Sequence, residues 1–265
     1  MTSTVPDDTA PPRVVARDLA LAYGETTAAT GLTFDVRPGE FVSFIGPSGC
    51  GKSSALRAVG GLLEPAAGEL LVDGTPVAGP RPRDVSFVFQ DLALYPWRSA
   101  VRNVEIALQF AGVGRAERRT RAMEALHAVG LGDVPHRFPD QLSGGMRQRV
   151  AIARALVSDA SLLLLDEPFA ALDELSRTKI GEQLATLLEE HGKTVLFVTH
   201  SLSEAVYLSD RVIVMTPRPA TIKEIIEVPL ARPREPRVLR TPGFHALTDR
   251  LSALLLEDDV PGDPR

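Results

Sequence analysis

The sequence predicts an α/β fold: a mostly parallel sheet core, preceded by an N-terminal antiparallel β region and interrupted by an inserted α-helical subdomain. Three observations predict it. A compact β-rich run at 40–45 passes through the glycines of GPSGCGKS into a helical pattern at 52–63, where Leu56, Val59 and Leu63 share one face. Strand patterns return at 161–165 and 194–199, separated by a helix from about 175 to 191 that stops at Gly192. Between these, residues 91–159 lose the β pattern and show helical periodicity, as in Val101, Val104 and Leu108, then Met123, Leu126 and Val129.

In chain order, residues 14–36 suit short strands and turns. After 211–216, Pro217, Arg218 and Pro219 turn the chain into 221–228, a hairpin. Residues 231–240 carry Arg232, Arg234, Arg237 and Arg240, which read as a solvated linker, and Phe244, Leu247, Leu251 and Leu255 make a final amphipathic helix. One catalytic domain is therefore expected at 13–230, with its core at 13–90 and 160–230 and its helical subdomain at 91–159, followed by a short C-terminal tail at 231–265.

Composition narrows the function classes. The 265 residues, 44% hydrophobic and 24% charged, are ordinary globular usage. A formal charge of -5 offers no overall attraction to nucleic acid or to an anionic membrane surface, so no nucleic-acid partner is expected. The single cysteine, Cys50, cannot form an intrachain disulfide and fits a reducing compartment. Residues 1–12 lack the basic start and apolar stretch of a secretory signal, so no export is expected. Apolar runs such as 162–165 and 195–198 are strand-length, far short of the ~20 residues that cross a bilayer. Any membrane role falls to a partner.

The chemistry begins at Gly46, Pro47, Ser48, Gly49, Cys50, Gly51, Lys52 and Ser53, followed by Ser54. This is G-x-x-x-x-G-K-S between a strand and a helix, which resembles the P-loop NTPases and so implies their RecA-like core. Its glycines let backbone N–H groups approach phosphate oxygens that a Cβ would block, and the helix dipole favours the anion. Lys52 supplies charge for the outer phosphates and Ser53 a ligand for Mg2+. Cys50 reads as a small residue that fits the loop, with a thiol activated by the helix terminus as the weaker reading. Farther on, Asp166 and Glu167 end a buried strand, where charge is costly unless a metal or substrate uses it. Asp166 then holds Mg2+, and Glu167 orients or deprotonates the attacking water. An acid pair at a helix N-terminus, ahead of Pro168, is the structural alternative.

The segment Leu142 to Arg149 reads LSGGMRQR. With GPSGCGKS, LLLLDEP, Ala171-Leu172-Asp173 and His200 in that order, the chain resembles the ATP-binding cassette transporter ATPases across nearly its whole length. Ser143, Gly144 and Gly145 open a second helix and so form a second anion-binding terminus, yet there is one P-loop lysine. The economical reading is that they take the γ-phosphate of ATP held by another copy, which makes ATP the glue of a two-fold dimer. The resemblance implies more. Tyr23 looks like the aromatic that stacks on adenine, Gln90 like the glutamine that senses magnesium and water, Asp173 like the cross-dimer loop aspartate, and His200 like the histidine that contacts the γ-phosphate. Ordinary structural roles remain open beside these: a core or surface tyrosine, a strand-end glutamine, a helix cap and a core histidine.

The stretch 95–104, residues 199–215 and the proline-arginine tail look like importers for nitrate, sulfonates, taurine and related small anions. That resemblance implies a membrane permease as partner, an extracytoplasmic solute-binding protein acting indirectly, and a cytoplasmic place on the inner face of the cell membrane. Trp97 and its neighbours are candidates for the groove that accepts a helix of the permease, or for burial in the subdomain. Many family members carry an acid after the histidine, where Ser201 stands here, a variation this subgroup accepts. Alternatives are an importer ATPase for another small solute, or a cassette ATPase outside transport. A P-loop kinase or GTPase would leave LSGGMRQR and His200 unexplained.

Overall fold

The computed structural model describes residues 10–190 and 192–257, without the side chains of 174, 175 and 187–190. His191, the expected end of one helix, and the last eight residues of the expected tail lie outside the described residues. Along the chain run β1 (Val14–Tyr23), β2 (Thr26–Val36), β3 (Phe41–Ile45), α1 (Lys52–Val59), β4 (Ala67–Val72), β5 (Thr75–Pro76) and β6 (Val85–Val88). Then come α2 (Ala100–Phe110), α3 (Arg115–Ala128), α4 (Gly144–Leu156), β7 (Leu162–Asp166), α5 (Glu174–Glu190), β8 (Thr194–Val198), α6 (Leu202–Leu208), β9 (Arg211–Met215), β10 (Ile222–Glu227) and α7 (Pro242–Leu256). The described residues form two compact units, Arg81–Leu187 and the remainder of the chain.

The unit formed by the two ends of the chain holds an antiparallel sheet of order β2-β1-β4-β5. It also holds the strands β10-β9-β3-β8, in which β3 pairs in parallel with both β8 and β9. Strand β10 closes on β9 as the expected antiparallel hairpin. Every residue of β3 and β8 is buried, as near-continuous apolar runs in central parallel strands should be. Of the two polar residues in these strands, Ser43 and Thr194, both fully buried, Ser43 shares a short hydrogen bond with the Ser209 hydroxyl, which ties β3 to the end of α6. The two sheets meet where Ala220 N–H donates to Ala28 O at 3.0 Å and Thr30 N–H to Ala220 O at 2.9 Å.

Three local readings change. Helix α1 stops at Val59 rather than at Leu63, because Gly61 turns the chain at φ 69° and Leu62 N–H folds back onto Arg57 O at 2.8 Å. Strands β4 and β5 add to the sheet where the sequence carries no clear strand pattern, since only Leu70 and Val72 in that stretch are buried and its alternation is too short to register. The arginine segment is no solvated linker at two of its four arginines. Arg234 Nη1 donates to Val206 O, Tyr207 O and Ser209 O at 3.1, 3.0 and 2.7 Å, and Arg232 Nη2 to Leu208 O at 2.7 Å. These carbonyls are the unsatisfied ones at the C-terminal end of α6. Helix α7 then buries Phe244 and Leu251.

In the unit Arg81–Leu187, β6 and β7 pair in parallel, and α2, α3 and α4 pack on one another. Asn103, fully buried, sets the turn ahead of α2: its Oδ1 accepts from Tyr95 N–H at 2.8 Å and its Nδ2 donates to Arg98 O at 2.8 Å. No described helix is long and apolar enough to cross a membrane.

Candidate functional site

The glycine-rich loop lies in the unit formed by the chain ends. A Cβ at Gly46, φ 157°, would come within 2.8 Å of Met215 O, so only glycine lets the loop leave β3 this close to β9. Lys52, 7% exposed, donates from Nζ to Gly46 O at 2.9 Å and Pro47 O at 2.8 Å, so the loop from Gly46 through Ser48 and Gly49 wraps around an ammonium. Cys50 is 1% exposed, with Sγ 3.8 Å from that nitrogen. It fills the inside of the loop, which favours the small-residue reading. Gly51 caps α1 at φ 108° and has no side chain to cover the helix end, so the positive end of α1 opens directly onto the loop.

Parallel register brings His200 to the same edge. Phe44 pairs with Val198, and Thr199 N–H donates to Phe44 O at 3.4 Å, so Gly46 and His200 each leave the sheet two residues past one pairing. His200 is exposed, which removes the core-histidine alternative. Ser201 caps α6 by accepting from Glu204 N–H at 3.3 Å. Tyr23 ends β1 at 44% exposure, with its hydroxyl 3.5 Å from Arg57 Nη1.

The other unit repeats this geometry. Val88 pairs with Leu165, so Gln90 and Glu167 each leave the β6–β7 pair two residues past one pairing. Gln90 is exposed, Asp166 is 1% exposed and Glu167 is half-buried. Glu167 has φ 48°, a left-handed backbone uncommon for a residue with a Cβ. Helix α4 opens at an exposed Ser143 whose hydroxyl accepts from Met146 N–H at 3.2 Å, with Gly144 and Gly145 half-buried behind it. Asp173 caps α5: its Oδ1 accepts from Ser176 N–H at 2.9 Å. Residues 29–170 match the family model described as ABC transporter.

The chain belongs to the ABC transporter family. Among curated relatives, it is 45% identical over 224 residues to the nitrate import ATP-binding protein NrtD of Synechococcus elongatus, covering 83% of this chain and 81% of that one. It is 42% identical over 242 residues to the taurine import ATP-binding protein TauB of Rhizobium johnstonii, covering 89% and 92%. Among solved structures, a dimeric post-hydrolysis state of an ATP-binding cassette bound to ADP and Pi superposes with a TM-score of 0.76 at 35% identity, covering 82% of this chain and all of that one. The fold is that of an ABC ATPase cassette.

Two polar residues of this ABC cassette escaped the sequence reading. Gln148 is 2% exposed: its Nε2 donates to Glu167 O at 3.1 Å and its Oε1 accepts from Ala171 N–H at 2.8 Å. Arg154 donates from Nη1 to Ala93 O and from Nη2 to Leu92 O, both at 2.7 Å, in the loop that follows Gln90. Burial holds its guanidinium below the usual arginine range, against the upward pull of the Tyr95 hydroxyl. A signal for Gln148 was present: it shares the core face of α4 with Ala151, Ile152 and Ala155, where a polar side chain must have partners.

Proposed function

We propose that this chain is the ATP-hydrolysing subunit that powers an importer for a small anion of the nitrate, sulfonate or taurine kind, working as a head-to-tail homodimer. One observation carries the reading: the cassette presents two glycine-opened helix ends, α1 behind the P-loop and α4 behind Ser143, but a single P-loop lysine. The names of the curated relatives support import, and the dimeric state of the solved cassette supports pairing.

In this reading the catalytic domain spans 13–230 and its helical subdomain 91–159. The loop from Gly46 to Ser54, with Pro47, Ser48, Gly49, Cys50 and Gly51, cradles the ATP phosphates through backbone N–H groups, and Lys52 neutralises the outer ones. Tyr23 stacks on the adenine. Among the described residues no group of three or more His, Cys, Asp or Glu is placed to hold a metal alone. The Ser53 hydroxyl, the Asp166 carboxylate and the Gln90 amide are the hard oxygen donors that fit Mg2+ shared with phosphates. When bound, Mg2+ neutralises charge on the transferring phosphoryl group. Glu167 orients and accepts a proton from the attacking water, and His200 contacts the γ-phosphate. Ser143, Gly144 and Gly145 grip that phosphate from the partner copy, with Asp173 at the dimer seam.

Tipping such a dimer from mostly open to mostly closed takes ~5.5 kcal/mol, within reach of a few charge-assisted hydrogen bonds at about 1.5–3 kcal/mol each. Hydrolysis removes the shared phosphate and reopens it. The membrane permease is the other partner, on the cytoplasmic face, with a solute-binding protein delivering the anion from outside. Light scattering of Glu167→Gln tests the pairing. Saturating ATP with Mg2+ should double the mass, and a mass that stays at one copy overturns the mechanism.

A further inference from the structure

We propose that Gln148 is a positioning residue for Glu167: it locks the backbone of the water-activating glutamate to the helix whose N-terminus engages the nucleotide of the partner copy. The inference deepens the proposed function and rests on it.

Three facts within one compact unit carry it. Glu167 sits at φ 48°, a conformation a glutamate does not adopt unless its surroundings impose it. The turn it opens is held by its own carbonyl, which accepts from Ala170 N–H at 3.2 Å, and by Gln148, whose amide bonds to both ends of the segment Glu167 to Ala171. The same segment abuts the phosphate-facing end of α4, since a Cβ at Gly145 would lie 3.5 Å from Ala171 O and 3.0 Å from Leu172 Cδ2.

The direction of a carboxylate is set by its backbone. A glutamate in left-handed φ sends its side chain to the other side of the chain from one in extended φ, so releasing the turn re-aims the group that orients water. Gln148 donates to one end and accepts at the other, and a buried side chain that does both defines the separation of those ends. Ser143 stands five positions before Gln148, about 1.4 turns along a helix. A displacement of that terminus by the partner's γ-phosphate therefore moves Gln148, and with it Glu167. In a head-to-tail dimer the α4 terminus meets one nucleotide while Glu167 serves the other, so Gln148 makes hydrolysis at one site depend on occupancy of the second.

The test uses the full chain with Gln148→Met, close in size but able to make neither hydrogen bond, and Gln148→Glu, which keeps the acceptor for Ala171 and loses the donor to Glu167. Steady-state ATP hydrolysis gives kcat, KM and the Hill coefficient, and light scattering follows the ATP-dependent dimer of each substitution in the Glu167→Gln background. The expected result for Gln148→Met is a kcat lowered about a hundredfold, KM within twofold, a Hill coefficient of one and a dimer formed at the same ATP concentration. Gln148→Glu should fall between. Wild-type kcat in either variant overturns the proposal, as does a kcat loss matched by an equal loss of nucleotide affinity and dimer, the mark of a structural role alone. If Glu167→Gln by itself forms no dimer, the two-copy mechanism falls, while the kcat-against-KM split still decides whether Gln148 positions Glu167.

Discussion

Arg154, near the end of α4, reaches Ala93 with a 2.7 Å hydrogen bond from Nη1 to the backbone carbonyl, and Ala93 itself sits at φ 46°. The loop after Gln90 is thus held in a strained conformation by a charge on the same helix that opens at Ser143. Hydrogen bonds from a charged donor contribute about 1.5–3 kcal/mol each, and a carbonyl left without a partner adds its own cost. Arg154→Met should relax the loop. The expected outcome is a roughly tenfold lower kcat for ATP hydrolysis with nucleotide affinity unchanged, read by steady-state assay beside equilibrium ATP binding. Unchanged turnover would mean that the loop after Gln90 holds its shape without help.

The tail arginines make a separate case. Arg234 bonds to carbonyls at the end of α6 and also to Val228 O and Leu230 O at 3.3 and 3.2 Å, while Tyr207 Oη donates back to Arg234 O at 2.7 Å. Loss of this cap should cost about 3 kcal/mol. For a chain of this size that corresponds to a Tm drop of roughly 6–10 °C. Differential scanning of Arg234→Ala checks it, and a drop under about 2 °C shows the cap to be dispensable.

How much of this was legible follows from where the partners lie. The runs of β3, β7 and β8 are apolar at nearly every position, so their burial shows in the residues themselves. The P-loop and the α4 terminus are contiguous, and their glycines and serine carry the geometry locally. Gln148 and Arg154 differ. Their partners stand 19 and 61 residues away, and only the folded backbone brings a glutamate carbonyl or an alanine carbonyl to them. Arg234 looked solvated because a charged residue among prolines usually is, and nothing local marks the helix end it caps.

At the start of β3, Glu40 is 2% exposed and meets Arg211 Nη1 at 3.2 Å, with Asp35 and Asp210 nearby. Burial raises the Glu40 carboxyl above its ordinary value, against the Arg37 N–H and the Arg211 charge. Burial also opposes the Arg211 charge, but Glu40 and Asp35 outweigh it and raise that group. Glu40 is the deeper of the two, so desolvation wins there. A carboxyl whose pKa is raised in the folded state binds more protons folded than unfolded. Its stabilising contribution is full below 4.5, the ordinary value, and declines as pH rises through the raised one. The stability of the wild type minus that of Glu40→Gln should therefore fall as pH rises from about 4. Urea melts across that range check it, and a difference that is flat or rises with pH counts against the assignment.

Gly144 and Gly145 separate a folding role from a ligand role at the α4 terminus. Neither has positive φ, so neither is needed for backbone freedom. A Cβ at Gly144 would rest 3.7 Å from Ala171 Cβ, an ordinary contact, whereas one at Gly145 would meet Leu172 Cδ2 at 3.0 Å. Alanine at an unstrained helical position gains about 0.5–1 kcal/mol over glycine. If the terminus were only a helix cap, Gly144→Ala would be silent or mildly stabilising in every assay. If its backbone N–H groups receive phosphate oxygens, the added methyl stands where the anion must come. The expected outcome is a Tm equal to or above wild type together with loss of the ATP-dependent dimer in the Glu167→Gln background. A Gly144→Ala protein that still dimerises at wild-type ATP concentrations would reduce Ser143 and its glycines to capping, and the second anion site would have to be sought elsewhere.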